Sequence, residues 1–275
     1  MANNPLAQHF RQPKIFVKLP SQGVYSKPGT IQGDVNSIPV YGMTGMDEII
    51  MKTPDALLTG ESNIRVIESC CPSIKNAAEL SVLDTDLMFT AIRIATFGAD
   101  MGVEKTCPHC GNLGEYNVDL NRLIEHFTTA HFNNKLVLDD LVINMKPLTY
   151  SQSNEFGLKN FQLQQKLSQA NRIENEEEQQ KILNSLFDDL GRMQNELYSL
   201  SIDSVQTDKV NVTERAYINE WLENCDREIF ARIKEQFEKN RDAWMIPTFP
   251  IECDECQGKD ELTITMDQTS FFGQA

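Results

Sequence analysis

The chain has 275 residues, 40% of them hydrophobic and 24% charged, and a net charge of −15. This is the balance of an ordinary globular protein with room for one large or two modest domains, and the acidity opposes attraction to nucleic acid or to an anionic membrane. No apolar stretch approaches the ~20 residues that a bilayer-spanning helix requires, and Met1–Lys18 lack a continuous apolar segment, so no secretory signal is expected and the expected compartment is a cytoplasm.

Residues 1–40 read as extended. Ile15–Leu19 and Ile38–Tyr41 have strand character, with turn signals at Ser21–Gly23 and Lys27–Gly29. Thr44, with Asp47 three residues on, forms a capping-box pattern for a helix carrying Met46, Ile49 and Ile50, and Leu57 extends its apolar side. Pro54 predicts a break near Lys52 or Thr53. Gly60 leads into a helix over Ile64–Cys71, and Asp84 or Thr85 is expected to cap Leu87–Phe97, ended by Gly98. A short helix is expected around Leu120–Phe127, then a hairpin of Lys135–Leu138 and Leu141–Met145 turning at Asp139-Asp140.

The stretch 150–240 reads as helical and charged. Phe156, Leu163 and Leu167 mark one helix. Leu183, Leu190 and Leu197, with Leu186, Met193 and Leu200, repeat every seven residues like a coiled-coil seam, with Gly191 inside it. The acidic run Glu174, Glu176, Glu177 and Glu178 suits a solvated helix start near the positive end of the helix dipole. Thr213 is expected to cap a further helix with Ile218, Trp221, Leu222 and Cys225, and Ile229, Ile233 and Phe237 continue the pattern.

Of seven cysteines, four stand in two Cys-x-x-Cys pairs, Cys107/Cys110 and Cys253/Cys256. An odd count in a reducing compartment argues against a disulfide scaffold. Two knuckles, each followed closely by a glycine and flanked by strand-like segments, point to a closed tetrahedral four-cysteine site for structural Zn2+. The strands expected beside them are Val103–Thr106 with Gly114–Val118, and Pro250–Glu252 with Leu262–Met266. The 142 residues between Cys110 and Cys253 are far more than a zinc ribbon usually spans, so the ribbon must be split by an insertion. The predicted fold is α+β: mainly α-helical, with a split four-cysteine zinc ribbon and a long helical insertion. The predicted division is an extended arm over 1–42, a helical domain over 43–100, a split ribbon over 101–149 and 245–275, and the insertion over 150–244.

No catalytic constellation is found. Glycine motifs for nucleotides and a G-x-S-x-G elbow are missing, and His126 and His131 are spaced wrongly for two ligands on one helical face. His109 is read as a turn residue, because four cysteines already fill the site. Cys70, Cys71 and Cys225 lie in apolar helical stretches and are read as packing residues. No enzyme is expected. Two binding classes remain: an assembly protein, and a zinc-ribbon nucleic-acid-binding regulator. The acidic second knuckle (Asp254, Glu255, Asp260, Glu261) argues against the latter, because it repels phosphate.

Residues 14–98 resemble the baseplate proteins of T4-like tailed bacteriophages. The segments that carry the resemblance are Lys18–Tyr25, Ile38–Val40, Met43–Ile50, Thr53–Gly60 and Ile92–Gly98. The resemblance implies a non-enzymatic subunit or chaperone-like assembly factor of the baseplate hub of a contractile tail. It implies other tail and hub proteins as partners, the tape measure protein among them, and a place in the virion or in the host cytoplasm during assembly. An extended N-terminal arm could add to a partner's sheet edge.

Overall fold

The computed structural model describes residues 4–52, 60–173, 175–266 and 271–272. They form two compact units, Met1–Ala130 with Met245–Ala275, and His131–Trp244.

In the first unit, β1 (Ile15–Val17) pairs antiparallel with β2 (Ile38–Val40), Ile15 opposite Val40. The extended character expected of residues 1–40 is present at Ile15–Val17 and Ile38–Val40, whereas Pro5–His9 form a 3-10 helix, and the segment is folded onto its own unit. Leu19, Ile38 and Val40 are fully buried. The Leu19 amide donates to Val35 O, Gln32 to Ser73 O and Lys75 to Thr30 O. Arg11 fastens the start of the segment by donating to Gly42 O (2.7 Å), Ser69 O (2.6 Å) and Ser69 Oγ (2.9 Å), with its guanidinium over the Tyr41 ring.

Helix α1 (Gly45–Met51) starts with the expected capping box: Thr44 Oγ1 accepts from the Asp47 amide while the Asp47 carboxylate accepts from the Thr44 amide at 2.7 Å. It ends at Lys52. The break assigned to Pro54, the position of Leu57 and most of the Thr53–Gly60 segment lie outside the described residues. Helix α2 (Glu61–Cys70) buries Val66, Ile67 and Cys70.

Helix α3 (Val82–Phe97) is the centre of the unit, with Leu87, Met88, Ala91 and Ile92 all fully buried. It begins earlier than expected. Ser81, not Asp84 or Thr85, caps it. Asp84 instead stands three residues beyond that cap, and its carboxylate joins the helix end to the N-terminal segment. It accepts from the Ser21 amide (3.0 Å) and from the hydroxyls of Ser21 (2.5 Å) and Ser81 (3.0 Å), so a buried side chain holds the N-terminal segment against α3. Burial pushes this carboxyl above its ordinary range despite those three donors. Helix α4 (Asn121–Thr129) returns against α3 with Leu123 and Phe127 buried.

Phe271 and Phe272 also belong to this core. Phe271 is fully buried, and the Phe272 ring meets Phe89 edge-on at 6.2 Å. The buried guanidinium of Arg93, stacked on Phe97, donates to Phe271 O at 2.9 Å.

The second unit is built on an antiparallel four-stranded sheet in the order β5 (Lys135–Leu138), β6 (Leu141–Met145), β7 (Ile202–Gln206), β8 (Asn211–Val212). The expected hairpin is β5–β6, turning at Asp139 with positive φ. Strands β7 and β8 interrupt the stretch 150–240, which is otherwise mainly helical as expected. Ile202-Asp203-Ser204-Val205 buries Ile202, Ser204 and Val205, and β7 pairs with β6 rather than continuing the preceding helix.

Helices α5 (Tyr150–Ala170) and α6 (Glu176–Leu200) pack on each other. Thr149 and Gln152 form a capping box for α5, and Asn175 caps α6 ahead of Glu176–Glu178; Glu174 lies outside the described residues. The seven-residue stripe falls within α6, where Leu186 is buried while Leu183, Leu190 and Leu197 are half-buried. Helix α7 (Arg215–Asn224) begins after Glu214 rather than Thr213, and α8 (Arg227–Trp244) follows it. Ile143, Ile202, Ile218, Leu222 and Ile233 join sheet and helices in one core, with Tyr198 edge-on to Phe230 and Phe237. Among the described residues no helix is long and apolar enough to cross a membrane.

Candidate metal centre

Two hairpins of the first unit carry the site. In one, β3 (Asp100–Thr106) pairs with β4 (Leu113–Asp119); in the other, β9 (Phe249–Glu252) pairs with β10 (Lys259–Leu262). The strand expected over Leu262–Met266 therefore lies earlier, over Lys259–Leu262, because its register is set by the knuckle turn that precedes it.

The knuckles have the same backbone. Cys107 donates to Asn112 O (2.8 Å) while accepting from the Gly111 amide (2.9 Å). Cys253 donates to Gly258 O (3.0 Å) while accepting from Gln257 (2.8 Å). Gly111 and Gln257 occupy the same place and both take the left-handed conformation, at φ 75° and 58°. Glycine adopts it freely and glutamine does not.

The hairpins bring Cys107, Cys110, Cys253 and Cys256 together, with the four sulfurs within 4.8 Å of one another. Cys107 Sγ stands 3.7 Å from Cys256 Sγ, and Cys110 Sγ 3.7 Å from Cys253 Sγ. A disulfide would need about 2.0 Å. Four thiolates at about 2.3 Å from a central zinc would stand about 3.8 Å apart at tetrahedral angles. The observed spacing therefore fits a metal and not a bond. Cys107 and Cys253 are buried, while Cys110 and Cys256 are exposed.

The electrostatics fit a cation as well. The amides of His109 and Cys110 hold the Cys107 thiol down to about 6. The amide of Asn112 favours the Cys110 thiolate too, but the neighbouring sulfurs, Cys256 first, outweigh it and push that thiol up to about 12. Cys256 is likewise raised against the pull of the Gly258 amide, through burial and the Cys107 and Cys253 sulfurs. Four sulfurs this close resist sharing negative charge, and a divalent cation removes the conflict.

Two contacts invisible in the motif help to join the hairpins. Lys105 on β3 donates to Glu261 O (2.5 Å) and pairs with the Asp260 carboxylate (2.6 Å), which it holds below the usual carboxylate range. His109, read from sequence as a turn residue, reaches Lys259 O at 3.2 Å. Its ring lies where a Cβ on residue 258 would be, 2.4 Å from that point, so only glycine fits there. The glycine that follows the second knuckle thus makes room for the other knuckle.

The remaining singled-out residues lie elsewhere. Cys70 and Cys71 are buried in the first core; burial pushes Cys70 up to about 12 and raises Cys71 as well, which suits unreactive thiols. Cys225 is half-buried at the end of α7. The His126 ring packs edge-on to Phe127 at 5.4 Å, and His131 is exposed. Among the described residues, Cys107, Cys110, Cys253 and Cys256 form the one cluster of three or more metal-ligating side chains.

A protein-family model described as T4 bacteriophage base plate protein matches residues 45–273, most of the chain. No curated protein and no solved structure matches it.

Proposed function

We propose, from the premise that this chain belongs to the T4 bacteriophage base plate protein family, that it is a structural or chaperone-like assembly protein of the baseplate hub. Its work is to bind other hub and tail proteins, the tape measure protein among them, and not to catalyse a reaction. The observation that supports this most is the closed set of four sulfurs joining two hairpins, with 142 residues between Cys110 and Cys253. Such a set leaves no coordination position for a substrate and serves architecture. The ion is Zn2+, held by Cys107, Cys110, Cys253 and Cys256. Tetrahedral thiolate sets suit zinc or iron, and zinc needs no redox partner. The exposed Asp254 and Glu255 at the second knuckle disfavour a nucleic-acid regulator.

The test has two parts. Elemental analysis of the purified full chain should find about one zinc per chain and no stoichiometric iron. The tagged chain, isolated from infected cells, should bring down hub or tape measure proteins identified by mass spectrometry. Comparing finished particles with intracellular intermediates then distinguishes a virion subunit from an assembly factor. Absence of the chain from both would sink the hub role.

A further inference from the structure

The four sulfurs are not equivalent, and their arrangement pairs them in a definite way. Each knuckle has one buried cysteine, Cys107 or Cys253, and one exposed cysteine, Cys110 or Cys256. The sulfur of each exposed cysteine stands 3.7 Å from that of the buried cysteine of the opposite knuckle: Cys110 from Cys253, and Cys256 from Cys107. An oxidant arriving from solvent meets one cysteine of each knuckle first, and a thiolate able to resolve it lies across the split ribbon.

We propose that hydroperoxides convert this metal clasp into a covalent one, with disulfides Cys110–Cys253 and Cys107–Cys256, so that the two hairpins stay joined after the metal leaves. This rests on the metal reading above. Peroxide oxidises the exposed Cys110 thiolate to a sulfenic acid and releases hydroxide. The Cys253 thiolate attacks that sulfur, the S–S bond forms, the S–O bond breaks and a second hydroxide leaves. Cys256 and Cys107 react in the same way. Two peroxides thus take four electrons from four thiolates, and the metal departs as the free cation. Closing each pair from 3.7 Å to disulfide length needs a shift of roughly 1.7 Å. The hydrogen bonds of Lys105 and His109 across the hairpins keep the opposing sulfurs in register while this happens.

The alternative product is a disulfide within each Cys-x-x-Cys pair, which would release the metal and leave the hairpins unlinked. The two are separated by titrating the metal-loaded full chain with hydrogen peroxide. Metal release is followed with a chromophoric chelator, and disulfides are mapped by mass spectrometry of unreduced peptides. The expected result is release of the metal, linked peptides Cys110–Cys253 and Cys107–Cys256, and a melting temperature nearer that of the metal-bound than of the reduced, metal-free chain. C110S should yield the Cys107–Cys256 bond alone. If C110S does not fold, oxidation of the chelator-treated wild-type chain reads the same pairing. Metal present but Cys107–Cys110 and Cys253–Cys256 recovered, or only sulfinic acids formed, would overturn the exchange alone. A purified chain with no bound metal would overturn the metal reading and the exchange with it.

Discussion

Replacing Cys253 by serine removes a buried thiolate and leaves a hydroxyl of similar size that is a poor zinc ligand. The pair Cys110 and Cys253 is 143 residues apart in sequence, and closing a loop of that length costs about 5 kcal/mol in the chain-entropy model. Structural zinc supplies roughly 10–16 kcal/mol in isolated fingers, against a whole folding margin of about 5–15 kcal/mol. Without it, the ribbon is held by the Lys105 and His109 hydrogen bonds and by buried Phe249 and Leu262. A loss near 5 kcal/mol corresponds to a melting temperature lower by about 10–20 °C for a chain of this size class. The unit His131–Trp244 has its own core around Ile143, Ile202 and Ile233, so the loss should be local. Hydrogen exchange should show amides of β3, β4, β9 and β10 losing protection while β6 and β7 keep theirs. If C253S retained about one zinc per chain and melted within ~2 °C of wild type, the clasp would not be what holds the ribbon.

Phe271→Ala should cost about 3–5 kcal/mol, read by denaturant unfolding, because it empties a fully buried ring site beside Arg93 and Phe272; a surface-like cost under about 0.5 kcal/mol would show that this segment does not seal the core. Asp84→Asn tests the buried carboxylate through pH. Its folded pKa is raised, so its protonated form favours the fold, and that contribution is lost as pH rises above the ordinary carboxylate range. D84N should therefore gain stability over wild type at neutral pH, with the gap closing in acid; a gap that widens in acid would reverse the sign. Gly111→Ala should cost about 1–2 kcal/mol through its left-handed backbone alone, since a Cβ there meets nothing within 4 Å, whereas Gln257→Gly should be neutral or better by thermal melting. Equal losses in both variants would contradict the equivalence of the two knuckles.

Much of this chain is legible from local patterns. Thr44 with Asp47 specifies the start of α1 because both partners of the capping box lie within one turn. Asp139-Asp140 between two apolar runs specifies the β5–β6 turn for the same local reason. The four clustered cysteines are legible because Cys-x-x-Cys is itself a local unit, whose turn aims two sulfurs one way.

What the sequence leaves open is set by contacts between distant residues. Asp84 reads locally as a helix cap, yet it stands three residues beyond the true cap, Ser81, and its carboxylate also accepts from Ser21, 63 residues away. Ile202–Gln206 follows a long helix without a break in charge pattern, and becomes a strand because β6 offers it an edge. Residues 15–40 read as an arm because nothing near them in sequence buries Leu19, Ile38 and Val40; the core that does so includes α3, tens of residues later. The sequence alone determined which four cysteines would come together. Only the tertiary structure decided which of these cysteines are exposed, which sulfurs stand opposite across the split ribbon, and that His109 and Gly258 must fit together there, because each of these depends on how two hairpins separated by a whole folded unit meet.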